Sequence, residues 1–400
     1  SFTGYSSDAE LALGRQILDN DGINLARQRR FRDYDTTHRV LRAEVSGKLY
    51  TGSLTHHILI GGDWEKFDID LNQLRFRPPN YTAGAAITSA NNAVNIFNPV
   101  YGQMPVPTGV VQNQLEVQKS WGIYFQDQID LTEQFKVRFG GRYDDFRQDI
   151  TFRATSTHTG QKQTKFSPTV GLAYEASDAL TVYASWGKGF RPNSGTGAAG
   201  LPFAPETSQS YEVGAKYSLL DGAVSGGLAL YTMKKDNILT SDPVNAGFSL
   251  AVGKAESKGL EFDLTAKLAG GFSIYLTYAY TDAQVAKSVL DPNFARPILK
   301  GDPLINVPKH AGNLILNKEF TLGEDSRINL GAGLNFASKR LGETATTFFL
   351  PGYTLVKLMA AYEPMKNLRI SADVNNVFNK KWYASSYSQL WVAPGTPRSF

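Results

Sequence analysis

The sequence predicts an all-β protein, a transmembrane antiparallel β-barrel, and three observations carry that prediction. Apolar and polar residues alternate along most of the chain from about His38 onward, which is the period-two signature of strands with one apolar face. Many of these runs reach about ten residues or more, well beyond the roughly five or six of a soluble strand. The connections alternate between short turns and longer, looser segments, as in outer-membrane barrels with tight turns on one rim and long loops on the other. A soluble propeller or sandwich has no reason to keep that order through seven hairpins. Lipid does: with no water to satisfy the backbone, an open sheet edge is forbidden and the sheet must close.

In chain order the pattern gives about fourteen strands, near 38–52, 56–76, 118–130, 135–153, 163–176, 179–189, 206–218, 223–237, 247–268, 271–285, 304–320, 325–340, 349–363 and 367–385. A fifteenth is expected to begin at Thr396. The clearest run sets Leu368, Ile370, Ala372 and Val374 against Arg369, Ser371, Asp373 and Asn375. The short turns fall at 51–55, 132–134, 177–178, 220–222, 269–270, 322–325 and 364–367. The long connections fall at roughly 77–117, 154–162, 190–205, 238–246, 286–303, 341–348 and 386–395. Rings at strand ends, among them Trp186, Tyr217, Tyr231, Tyr280, Tyr362, Trp382 and Tyr383, are read as aromatic girdles at headgroup level.

Composition removes most other classes. Aromatic residues make up 12% of the 400 positions, too many for a disordered chain. No apolar run approaches the roughly 18 residues of a membrane helix. Zero Cys excludes disulfide frameworks and thiolate metal sites. A net charge of +4 is too small for a nucleic-acid footprint. No secretory leader is read from Ser1 onward. No HExxH, P-loop, EF-hand spacing or GxSxG in a strand-turn-helix context occurs, so the chain is not read as an enzyme.

Several stretches exceed generic alternation: NIFNPVYG at 95–102, PETSQSYEVGAKY at 205–217, VGKAESKGLEFD at 252–263, INVPKHAGN at 305–313, DVNNVFNKKWY at 373–383 and GTPRSF at 395–400. In that order and spacing the chain, from roughly residue 38 to its end, resembles the barrel of TonB-dependent outer-membrane receptors, in the ferric-siderophore branch that includes the ferrichrome and ferrioxamine receptors. The resemblance implies a barrel of roughly 22 strands filled by an amino-terminal plug. No plug is recognisable, and by count about seven amino-terminal barrel strands are missing. Residues 1–37 are therefore expected to be an extracellular loop or strand remnant and 38–400 the barrel portion. The implied function is uptake of a ferric siderophore through the outer membrane of a Gram-negative bacterium, energised by the TonB–ExbB–ExbD complex through the plug. No cofactor and no chemistry on the substrate are implied, and outer-membrane lipid and lipopolysaccharide are the implied surroundings. A passive porin-like channel is the alternative, with Glu261, Asp263, Arg138 and Arg142 in the lumen setting ion selectivity; the motif series resembles receptors instead.

Loops displayed by a rigid scaffold carry recognition, and 77–117 is long enough to be functional. It holds Tyr81, Phe97 and Tyr101; the last long loop holds Tyr387 and Trp391. Aromatic rings offer stiff, half-polar surface suited to a bulky chelate, and the resemblance makes these five the ligand-binding candidates. Loop-on-loop packing is the competing reading. Arg27, Arg29, Arg30 and Arg32 form a basic run that suits an anionic chelate or lipopolysaccharide phosphate, although a solvated loop is the commoner case. Gly259 is read as a packing position. His310 stands alone, and His56 and His57, being adjacent in a strand, point to opposite faces, so no metal site is expected.

Overall fold

Strands that turn an apolar face to hydrocarbon must satisfy their backbone by pairing alone, and pairing dominates this chain. The computed structural model describes residues 2–11, 23–76, 93–102, 106–242, 244–245, 249–291, 296–389 and 391–400. In chain order the strands are β1 (Phe2–Leu11), β2 (Asn24–Thr51), β3 (Leu54–Phe76), β4 (Ala93–Asn95), β5 (Gly109–Asp130), β6 (Phe135–Phe152), β7 (Thr157–Ser177) and β8 (Leu180–Arg191). There follow β9 (Glu206–Leu219), β10 (Val224–Ser241), β11 (Ser249–Leu268), β12 (Phe272–Val285), β13 (Val289–Leu290), β14 (Pro297–Ile298) and β15 (His310–Thr321). The last are β16 (Arg327–Ala337), β17 (Arg340–Leu341), β18 (Phe349–Leu350), β19 (Tyr353–Met365), β20 (Leu368–Val374), β21 (Tyr383–Ser388) and β22 (Trp391–Pro394).

One sheet runs β1-β2-β3-β5-β6-β7-β8-β9-β10-β11-β12-β15-β16-β19-β20, with β4 joined to β2. Three hairpins, β13-β14, β17-β18 and β21-β22, stand outside it in the long connections. Apart from excursions into those hairpins and β4, neighbours in sequence are neighbours in the sheet, the order that tight turns impose. The chain divides into two compact units. One comprises Ser1–Glu44, Gly61–Ile123 and Tyr143–Lys165, the other Val45–Ile60, Tyr124–Arg142 and Phe166–Phe400.

All fourteen strands expected from the alternation are present. The differences lie at their ends. β2 begins at Asn24, well before 38, because the stretch Arg27–Asp35 carries no apolar face and a strand beyond hydrocarbon needs none. β20 stops at Val374 instead of continuing to 385. Asn376 and Asn379 sit at φ 50° and 49°, a left-handed conformation that Asn tolerates and a strand does not. The Asn376 amide donates to the Lys380 carbonyl at 2.9 Å and the Thr396 carbonyl at 3.2 Å, while its oxygen accepts from the Lys380 N–H at 2.9 Å. That turn also displaces the fifteenth strand expected at Thr396: only an isolated bridge between Asn375 and Ser399 forms there.

Register separates the two faces in the second unit. One row across β11, β12, β15, β16 and β19 reads Leu264, Leu276, Leu314, Leu334, Val356; one residue away the row reads Asp263, Thr277, Asn313, Asn335 across the first four. On the polar row the Asn335 amide donates to Asn313 at 2.7 Å, and the Asn313 amide to Thr277 Oγ1 at 3.2 Å. Lower on the same face, Glu363 joins Arg327 and Arg369 at 2.8 and 2.7 Å beside a cavity of about 660 Å³ that Ser371 and Asp373 also line. Ile370, between Arg369 and Ser371 and opposite Tyr362, points the other way and is 60% exposed.

Rings fill places where a neighbouring strand has no side chain. A Cβ on Gly259 would lie 2.7 Å from the Tyr231 hydroxyl and 2.3 Å from the Tyr280 carbonyl, so the packing reading of Gly259 holds. The same contact corrects the girdle assignment of Tyr231. Its pairing with Glu212 and Gly259 places it on the polar face, whereas Trp186, Tyr217, Tyr280 and Tyr362 share the apolar face with Ala184, Val213, Leu276 and Leu358. Trp382 packs on Tyr353, ring centroids 4.5 Å apart, and donates to the Thr396 carbonyl.

A charge at Ile370 would be held in hydrocarbon at a cost of about 2–4 kcal/mol, while Ser371 faces the lumen. Ile370→Arg is therefore expected to lower the yield of heat-modifiable protein in outer membranes, and Ser371→Arg to leave it near wild type. Equal yields would contradict the assignment of faces.

Candidate outer-loop binding site

The long connections of the second unit leave strand pairing behind, so their backbone polar groups must find other partners. Arg340, 5% exposed, supplies two: its Nη2 donates to the carbonyls of Tyr383 at 2.5 Å and Ala384 at 3.0 Å, and the guanidinium lies 5.5 Å from the Tyr353 ring centroid. Asn306, held at φ 62°, binds Ser386 twice, donating to its carbonyl at 2.7 Å and accepting from its N–H at 2.9 Å. The Ser386 hydroxyl donates to the Gly342 carbonyl at 2.5 Å. Buried Glu343 accepts from Arg296 Nη1 at 3.0 Å with one oxygen and from the Gln389 N–H at 3.1 Å with the other. Buried charge-assisted bonds of this kind are costly to break. Together they tie the β13-β14, β17-β18 and β21-β22 hairpins into one rigid cluster.

That cluster holds up Tyr387 and Trp391, one on each strand of the β21-β22 hairpin. Both rings keep substantial exposure, 42% and 38%. Burial of the Tyr387 phenol, followed by the nearby Asp291 carboxylate, pushes its ionisation above the usual tyrosine range. The phenol therefore stays a neutral donor and acceptor at every physiological pH. Phe97 and Tyr101 belong to the other unit. There the Asn95 side chain accepts from the N–H groups of Phe97 and Asn98 at 2.9 and 3.0 Å, and β4 pairs with the start of β2, fixing the NIFNPVYG segment as an Asx-turn. Their rings are 79% and 73% exposed and pack little. Tyr81 lies outside the described residues.

The histidines behave as ordinary polar residues. His56 Nδ1 meets Asp127 at 2.8 Å and His57 Nε2 meets Asp130 at 2.8 Å, each with its own carboxylate. His310 Nδ1 lies 2.8 Å from the Tyr278 hydroxyl. Among the described residues no group of three His, Asp or Glu side chains is placed to hold a metal. Arg340, Glu343, Asn306 and Ser386 escaped sequence reasoning. Only Asn306 lay in a motif that stood out, and the partners are separated by tens of residues, so nothing local announced them.

The family described as TonB dependent receptor-like, beta-barrel, matches residues 2–377. The chain belongs to that family. Its β-barrels reside in the Gram-negative outer membrane, and it is a family of receptors, not an enzyme class. The chain is 36% identical over 99% of its length to the metal-pseudopaline receptor CntO of Pseudomonas aeruginosa, covering 54% of that protein. It is 28% identical over 98% of its length to the ferrichrome outer membrane transporter/phage receptor of Escherichia coli, covering 52% of it. The chain thus spans about half the length of these curated relatives. The crystal structure of the siderophore receptor PiuA from Acinetobacter baumannii superposes with a TM-score of 0.79 at 21% identity, over 94% of this chain and 56% of that one.

Arg340→Met keeps the length of the side chain but strands two carbonyls, a loss of about 1–3 kcal/mol for a buried acceptor. Limited proteolysis of membrane-embedded receptor should then cut within 383–394 markedly faster than in wild type, with the strand ladder unchanged by circular dichroism. In a pH titration followed near 295 nm, the change missing from a Tyr387→Phe variant should fall above that of ordinary tyrosines.

Proposed function

We propose that this protein is the barrel of a receptor that takes a siderophore-type metal chelate, with ferric siderophores as the leading class, through the outer membrane, driven by the TonB–ExbB–ExbD complex. The observation that carries the reading is the near end-to-end similarity, over 99% of the chain, to a receptor named for a metal chelate. That relative is named for metal-pseudopaline, so the metal itself is left wider than iron. The ferrichrome relative supports the iron chelates. Energy enters through a plug in this reading, and the chelate is released unchanged.

Tyr387 and Trp391 are proposed as chelate contacts because they are half-exposed rings on a hairpin that its neighbours hold rigid. Stiff aromatic surface presented without an ordering cost is what a bulky chelate needs. Phe97, Tyr101 and Tyr81 remain proposed contacts from the first long loop. Outer-membrane lipid and lipopolysaccharide are the proposed surroundings.

The test is uptake and binding by the receptor expressed in outer membranes. A strain lacking it should lose uptake of one radiolabelled metal chelate, and Trp391→Ala should weaken binding of that chelate about tenfold, from a loss on the order of 1–3 kcal/mol. Barrel yield should be unaffected, because the ring lies outside the hydrocarbon band. Uptake that persists without the proton-motive force would favour a passive channel and overturn the reading.

A further inference from the structure

Away from the outer hairpins, the polar face at the loop end of β8, β9 and β10 carries three converging charged side chains. Register sets Arg191 opposite Glu206, Gly189 opposite Ser208 and Gly187 opposite Ser210, and brings Lys235 beside Ser208 from the other side. The Glu206 side chain is 7% exposed. It accepts from Arg191 Nη2 at 3.3 Å with one oxygen and meets Lys235 Nζ at 2.9 Å with the other. Two cations therefore converge on one buried carboxylate, and the trio keeps a net positive charge.

The surroundings fix that carboxylate in place. Asn193, 4% exposed, donates to the carbonyls of Ala204 at 2.8 Å and Asn237 at 2.9 Å. Asn237, at φ 61° in a bulge of β10, donates in turn to the Pro205 carbonyl at 2.9 Å. The connection 192–205 is thereby tied back onto β10, and Glu206 enters its strand at a set height. One cation suffices to compensate a buried carboxylate. The second is surplus to that need. Arg191 is 73% exposed and Lys235 43%, so both present donors to the lumen. On the same face Gly187 and Gly189 have no side chains and Ser208 and Ser210 have short hydroxyl ones, with Ser208 Oγ 3.0 Å from the place a Cβ on Gly189 would take.

We infer that Arg191 and Lys235, positioned by Glu206, bind a carboxylate of an anionic metal chelate on the lumen wall. A guanidinium offers the paired N–H donors that a carboxylate's two oxygens match, and an ammonium beside it adds a point charge. The neighbouring Ser208 and Ser210 hydroxyls would add neutral hydrogen bonds alongside. The inference rests on the receptor reading and narrows its substrate class to chelates that keep a free carboxylate.

The experiment titrates receptor purified from outer membranes, by intrinsic fluorescence, with ferric citrate and ferric aerobactin as carboxylate-bearing probes and with ferrichrome and ferrioxamine B as hydroxamates. A carboxylate-bearing probe should bind, and its affinity should fall as salt rises from about 0.05 to 0.5 M. Arg191→Gln and Lys235→Gln should each weaken it about tenfold, and Arg191→Lys should recover part of the loss, while hydroxamate binding stays unchanged in all three. Heat-modifiable migration checks that each variant is folded, and the salt dependence of wild type stands even if a glutamine variant is not. Salt-independent binding, equal affinity in folded variants, or binding of hydroxamates alone would overturn the anion site and leave the receptor reading intact. If no probe binds and no metal chelate is taken up by cells, the receptor reading falls as well.

Discussion

A backbone amide in hydrocarbon has no water to turn to, and that single constraint organises this chain. Every strand that crosses the membrane must be paired on both sides, so the strands are long, antiparallel and neighbours in sequence order, joined alternately by tight turns and by long connections. Once paired, a strand has only two faces to offer. Lipid claims one, and the row Leu264, Leu276, Leu314, Leu334 is the result. The other face inherits the polar residues, and Asn313, Asn335 and Thr277 bond one another there because the lumen wall still has to satisfy its own side chains.

Pairing also explains the glycines on the strands. Neighbouring chains stand only about 4.8 Å apart, so a large ring on one strand can lie flat only where its neighbour has no Cβ. Tyr231 over Gly259 and Tyr183 over Gly214 meet that condition on the lumen wall, and Phe166 over Gly141 meets it on the lipid side. The Tyr183 hydroxyl then donates to Glu212 at 2.7 Å, so the same ring fills space and anchors a lumen carboxylate.

What the sequence made legible follows the same boundary. Where lipid acts, the alternation is enforced residue by residue, and the fourteen strands it predicted are present, whereas the fifteenth expected from Thr396 is replaced by a turn and a single bridge. Where strands rise above the membrane, as in β2 around Arg29, Arg30 and Arg32, no solvent difference separates the two faces and the period-two signal vanishes. Tyr231 was misread for a related reason: proximity to a strand end suggests a girdle, but only register tells which face a ring occupies. The outer loops were the least legible. Tyr387 and Trp391 could be picked out by residue type, yet the bonds from Arg340, Glu343 and Asn306 that hold their hairpin join positions about 40 to 80 residues apart, and no local pattern encodes such pairs.

The boundary also separates positions that need only a class of residue from positions that need one particular residue. Hydrocarbon asks only that a residue be apolar, and Leu, Ile, Val and Phe meet that demand equally, so the barrel tolerates wide sequence change while its backbone path is kept. The outer hairpins face no such uniform solvent. A guanidinium that satisfies two specific carbonyls, or a carboxylate that aligns two specific cations, cannot be exchanged for another residue of similar hydropathy. The proposed recognition surface lies where the medium has stopped dictating side chains, on segments held by individually matched polar contacts above a wall held by strand pairing.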